Sequence, residues 1–228
     1  MGKTYFKPSF FEFLRELKKN NNRPWFHANK ERYEQTVRNP LLDFIGEVGP
    51  HLRQISKSIV VDNSPMGGSM FRVYRDTRFS KDKTPYKTAA SAQFRHERGK
   101  DVHAPGYYLH LEPGEIFCGG GIWHPELPTL NQIREYLANH PEKWKAVLAN
   151  KTFKKHCAME GDKLVRPPKG FDPDHPLIED LKRKDFTSFT ALDEKTACSP
   201  HLMEAFIESC KASAPLMEFL AQALQLTW

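Results

Sequence analysis

The sequence predicts an α+β fold, an antiparallel sheet with helices packed mainly on one side, and three observations carry that prediction. From Ser9 to Ile55 apolar residues recur at helical spacing. From about Asp62 to Ile122 the pattern turns to period two, broken by Asn63-Ser64-Pro65, Gly67-Gly68 and Pro113-Gly114. Helical spacing then dominates from Thr129 to Leu224. Helices, then strands, then helices is the α+β order, not the alternation that builds a parallel sheet.

Each element has its own signal. Ser9 and Glu12 form an S-x-x-E capping box ahead of Phe10, Phe13, Leu14 and Leu17, and the Asn20-Asn21-Asn22 run ends that helix. Pro24 opens a second helix with Trp25, Phe26, Tyr33 and Val37, ending before Pro40; Trp25 and Phe26 are read as core. Pro40 opens a third, with Leu41, Phe44, Ile45, Val48, Leu52 and Ile55. Met70–Asp76 alternates as a strand, Phe71 and Val73 on one face, Arg72, Tyr74 and Asp76 on the other. Ala89–Arg95 is a second strand after a loop at Thr77–Pro85. Tyr107–Glu112 and Glu115–Cys118 flank Pro113-Gly114, a type II turn pair, and form a hairpin with Leu109 and Leu111 facing the core. Thr129 and Gln132 suggest a second capping box, Pro141 starts a helix bearing Trp144, and Thr152 caps a short one. Arg166–Pro176 is loop, Pro176 opens a helix, and Phe186–Ala191 alternates enough to return to the sheet. Ser199-Pro200 opens a helix that Pro215 is expected to interrupt, leaving Leu216–Leu224 as a final one.

The 228 residues suffice for one large domain or two small ones divided near Leu127. Hydrophobic content of 39% and aromatic content of 12% exclude an intrinsically disordered chain. A pI near 9.1 favours acidic partners without singling out nucleic acid. Cys118, Cys157, Cys198 and Cys210 are too widely spaced for a disulfide framework or a C-x-x-C site, and suit a reducing cytoplasm. The opening MGKTYFKPSFFEFL lacks an apolar leader, and Phe6 stands where a myristoylation signal needs Ser or Thr. No apolar run approaches a membrane span. A soluble cytoplasmic protein is expected.

Chemistry concentrates in MFRVYRDTRFSKDKTPYK, from Met70 to Lys87. Arg72, Arg75, Arg78, Lys81, Lys83 and Lys87 stand there against Asp76 and Asp82, interleaved with Tyr74, Phe79 and Tyr86. Guanidinium forks match carboxylate and phosphate oxygens, so an anion site is expected, with Trp123 as a stacking ring. Internal salt bridges for the arginines are the structural alternative. His110, Glu112, Glu115 and His124, with Glu126 nearby, offer imidazoles and carboxylates for a divalent metal, but the spacing matches no standard metal motif, and surface or hydrogen-bonded histidines without a metal are the expectation. His110 and His124 are also the acid/base candidates. Gly119-Gly120-Gly121 reads as a close-packed turn or bulge rather than an anion nest, and it lacks P-loop spacing. Ser80 has no base near it in sequence, and no nucleophile elbow is present. No motif names a cofactor.

Four stretches together, FxFLxxLxxNNNRxWF, FRxYRDTRFSKDKTPYKT, GYYLHLEPGEIFCGGGIWHPE and FDPDHPLIEDLKRKDF, resemble the domain-of-unknown-function 2461 family of bacteria and fungi over nearly the whole chain. The resemblance implies a single α+β domain over residues 1–228 and carries no activity or catalytic residues with it. Two function classes follow from the residues. One is an anionic small-molecule binder, acting as an enzyme if His110 or His124 reaches the ligand. The other is a nucleic-acid or acidic-protein binding module in which Tyr74 or Trp123 stacks a base.

Overall fold

The computed structural model describes residues 2–99 and 104–228. Helix α1 (Pro8–Lys19) buries Phe10, Phe11, Phe13, Leu14 and Leu17. Its start is set by Pro8 in the first turn, with Lys7 as N-cap and no side-chain cap, so the Ser9 capping box does not form. Asn20 ends α1, and the Asn22 side chain accepts from Trp25 N to cap α2 (Arg23–Ala28). Phe26 is buried, and Trp25 packs its ring against Phe13.

Helix α3 (Lys30–Tyr33) runs through a π-helical turn (Glu34–Arg38) straight into α4 (Asn39–Ile55), so Pro40 does not break the chain there. A proline ring crowds the carbonyl four residues back, and the wider turn over residues 34–38 is where that crowding falls.

The sheet has five strands in the order β1-β2-β3-β5-β4, every neighbouring pair antiparallel. They are β1 (Ala90–Arg95), β2 (Gly106–Glu112), β3 (Glu115–Ile122), β4 (Ala158–Glu160) and β5 (Phe186–Leu192). Pro113-Gly114 joins β2 to β3 with Gly114 at φ 87°, as a type II turn requires. Met70–Asp76 is not a ladder strand. It makes isolated bridges, Met70 to Ala92 and Tyr74 to Tyr86, and covers the free edge of β1 with a few hydrogen bonds. Phe71 and Val73 also part company, because Val73 joins the core while Phe71 lies on the other side of the segment. The three glycines lie inside β3 rather than after it.

Between β3 and β5 run α5 (Leu127–Asn139), α6 (Pro141–Ala149), α7 (Lys151–His156) and α8 (Ile178–Leu181). Pro128 starts α5 ahead of the expected Thr129 box, and Asn150, not Thr152, caps α7. After the short α9 (Glu194–Ala197), α10 runs unbroken from Leu202 to Ala223 with Pro215 inside it. The carbonyl that Pro215 leaves without a donor belongs to Lys211, an exposed residue, which lowers the cost of continuing.

Helix α10 lies across one sheet face and serves both apolar clusters. Its Phe206 packs with Phe44 and Phe94, alongside Leu109 and Leu111. Its Leu216, Phe219 and Leu220 pack with Ile122, Trp144 and Phe186. Among the described residues no helix lies across the opposite sheet face.

Candidate functional site

Strand alternation puts Tyr108, His110 and Glu112 of β2 on that open face, paired across to Gly119, Phe117 and Glu115 of β3. In β5, Phe189 and Thr187 pair with Gly119 and Gly121. A line of rings therefore crosses the sheet. Phe71 meets Tyr108 at 6.0 Å, Tyr108 meets Phe117 at 5.8 Å, and Phe117 meets Phe189 at 6.1 Å between centroids. Beside it, Gly106, Gly119 and Gly121 contribute no side chains, and the surface sinks into a groove of about 1050 Å³.

These glycines are also required by packing. A Cβ on Gly119 would lie 1.9 Å from the Ser188 carbonyl oxygen, and Gly121 sits at φ 145° with Phe186 O 2.1 Å from the same position. The run is close-packed as expected, but as a regular stretch of β3 and not as a turn or bulge, and it borders the same groove as the basic segment.

One wall is that segment. The turn between α1 and α2 fixes it, since Asn21 Nδ2 donates to Tyr86 O and Tyr86 N donates to Asn21 Oδ1. Of the eight residues expected to contact a ligand, Arg75, Lys87 and Trp123 line the groove; Arg72, Tyr74, Arg78, Lys81 and Lys83 lie outside it. Tyr74 packs on Tyr86 and Phe26. Arg78 grips Asp76, with Nη2 to Oδ2 at 2.6 Å, and Lys83 Nζ donates to Thr77 O at 2.8 Å. Arg75 is held by Asp82 and Thr84. Hydrogen bonds from these partners keep the Asp76 and Asp82 carboxyls well below the usual carboxylate range.

Lys87 differs. Its Nζ lies 5.0 Å from the Phe71 ring centroid and forms no ion pair among the described residues. Burial, with Arg72 nearby, pulls its ammonium below the usual 10.5. The Lys18 side chain adds a further cation at the rim.

The hairpin end carries the opposite charge. His110 Nδ1 lies 3.0 Å from the Tyr108 hydroxyl, and its ring stacks on Phe117 at 4.8 Å. Glu112 accepts from Thr88 Oγ1 at 2.7 Å and lies 3.7 Å from Lys18 Nζ, both through Oε1. Its Oε2 is 3.6 Å from His110 Nε2. Burial pulls the His110 imidazolium below its usual range against the opposing pull of Glu112 and Glu115. The groups of His110, Glu112 and Glu115 lie within 4.8 Å of one another.

His124 is not part of this cluster. It follows the far end of β3, and the seven residues from Phe117, opposite His110, span roughly 23 Å of extended chain. Its Nδ1 and its backbone N both meet the buried Asp185 Oδ1, at 2.9 and 2.6 Å, and its φ is 46°. Glu126 is the exposed N-cap of α5, also apart from His110. Asp185, which also accepts from Asp162 N through Oδ2, escaped the sequence reading because a lone Asp before a strand carries no signal of burial.

Fold and site define an α+β protein whose antiparallel sheet carries an aromatic groove on its uncovered face. The chain belongs to the family described as Conserved hypothetical protein (DUF2461), whose model matches residues 9–219. A comparison with curated proteins finds no match.

Proposed function

We propose that the groove binds a flat small molecule bearing a phosphate or carboxylate, the anion resting on Lys87 with Arg75 and Lys18 beside it. The observation that carries this reading is Lys87 itself, a partly desolvated ammonium in the groove wall with no carboxylate partner among the described residues. An anion there regains the interaction that burial removes. The rings of Phe71, Tyr108, Phe117 and Phe189 offer apolar faces for the rest of the ligand. Helix α10, serving both apolar clusters, supports treating residues 1–228 as one unit. The four free cysteines support a reducing compartment such as the cytoplasm, and no helix among the described residues is long and apolar enough to cross a membrane.

Thermal unfolding with inorganic phosphate or benzoate tests the reading. Both anions should raise the midpoint of the wild type and lose most of that effect in Lys87→Met. Equal protection of the two proteins would overturn it. A second reading rests on the loop outside the groove, where Phe79 is 95% exposed beside Arg78 and Lys81, as in a surface that contacts a polyanion. Oligonucleotide binding that falls steeply with salt and survives Lys87→Met would favour it.

A further inference from the structure

We propose that His110, Glu112 and Glu115 hold a divalent transition-metal ion at the hairpin end of the groove. The argument begins with an unsatisfied atom. His110 Nε2 is buried and has no hydrogen-bond partner among the described residues. Two tautomers are available, and neither satisfies it. If Nδ1 carries the proton and donates to Tyr108, the Nε2 lone pair faces carboxylates that cannot donate. If the Tyr108 hydroxyl donates instead, Nε2–H points towards Glu112 across 3.6 Å, too far for a hydrogen bond.

A cation between them removes the conflict. Bonds of roughly 2.0–2.1 Å in a tetrahedral site set neighbouring ligand atoms about 3.3–3.4 Å apart. The Nε2 to Oε2 distance of 3.6 Å is close to that spacing, and longer than a charge-assisted hydrogen bond would leave it.

The surroundings match a metal site as well. Tyr108 engages the ring nitrogen that would not bind metal, and Thr88 and Lys18 hold Glu112 Oε1, leaving Oε2 towards the imidazole. The type II turn brings Glu115 directly across from Glu112. One imidazole and two carboxylates suit Zn²⁺, Mn²⁺ or Co²⁺ better than Ca²⁺, which prefers an all-oxygen shell. Three protein ligands leave a coordination position open towards the groove.

The three ligands are distinct from Lys87, so each reading can fail alone. Chelator-treated wild type is titrated with Co²⁺, followed by its visible absorption, and with Zn²⁺ by calorimetry. One equivalent should bind. His110→Ala and Glu115→Gln should each weaken binding roughly 100-fold, and Thr88→Ala roughly 10-fold. His124→Ala should change nothing. Glu115 is exposed, so its variant keeps the test valid if His110→Ala does not fold. No binding by the wild type, or affinity unchanged in both ligand variants, would overturn the proposal. Phosphate protection measured with chelator present, and its loss in Lys87→Met, reports on the anion site without the metal.

Discussion

Replacing Lys87 with Met separates binding from stability, because the two should move in opposite directions. Methionine keeps an apolar chain against Phe71 and deletes the ammonium. A hydrogen bond to a charged group contributes about 1.5–3 kcal/mol, so phosphate affinity should fall roughly 10- to 150-fold. Arg75 cannot make up the difference, since Asp82 and Thr84 already occupy its guanidinium. Without ligand the variant should be at least as stable as the wild type. The folded Lys87 holds its proton less tightly than the unfolded chain, whose value is the usual 10.5. Keeping it charged therefore costs stability at every pH below the folded value, and that cost fades as pH rises from there to 10.5. The buried Tyr33 has the opposite sense, losing stability above pH 10, but it is common to both proteins and cancels in the difference. Urea unfolding of both proteins from pH 7 to 10.5, and phosphate calorimetry at pH 7.5, measure the two effects. A variant clearly less stable without ligand, with a gap that does not close towards pH 10.5, would refute the desolvation argument. Unchanged phosphate affinity would refute the anion site.

Three further outcomes follow from other parts of the structure. Asp82→Asn leaves Arg75 without its own carboxylate, so phosphate affinity at low salt should rise several-fold by calorimetry; in the wild type the pairing holds above pH 3.8 and fails as pH drops through the lowered Asp82 value. Gly119→Val places side-chain atoms where Ser188 O already lies, and separating β3 from β5 should cost at least about 1–3 kcal/mol, lowering the melting midpoint by roughly 2–4 °C per kcal/mol. Asp185→Ala strands the backbone N–H groups of His124 and Asp162, at about 1–3 kcal/mol for each that stays dry, read by urea unfolding.

The sequence disclosed elements whose cause is local. Helices α1 and α4 carry unbroken apolar spacing, and the β2–β3 hairpin is set by a two-residue turn whose chemistry is written in Pro113-Gly114. The return of β5 followed from weak alternation. Capping failed as a signal at Ser9 and Thr129 because Pro8 and Pro128 begin those helices earlier. Met70–Asp76 alternates like a strand, yet the strand needs a partner, and β1 offers only scattered bonds before the chain turns back at Tyr86. For the same reason the basic segment divides. Arg75 and Lys87 reach the groove while Arg72, Arg78, Lys81 and Lys83 do not, and only tertiary placement decides which. His110 and His124 look like neighbours in a list of candidates, but the length of β3 separates them. Of the expected constellation, His110, Glu112 and Glu115 come together and His124 does not.

The glycines connect these observations. Bulky residues at these positions of β3 would have filled the open sheet face. Gly119 leaves a gap between Tyr108 and Phe189, and Gly121 leaves another opposite Gly106, which is itself without a side chain. The backbone pays for this in strain at Gly121, whose φ of 145° few other residues adopt. A groove obtained in this way has a rigid floor, because strands and not loops carry it. Lys87 and Arg75 stand on the basic wall and Glu112 and Glu115 at the hairpin, with Lys18 adjoining Glu112 at 3.7 Å. A ligand that spans them must present an anion to one and a metal-binding or cationic group to the other. This polarity argues for one oriented small molecule over a uniform polyanion, which the carboxylates of Glu112 and Glu115 would repel at close range.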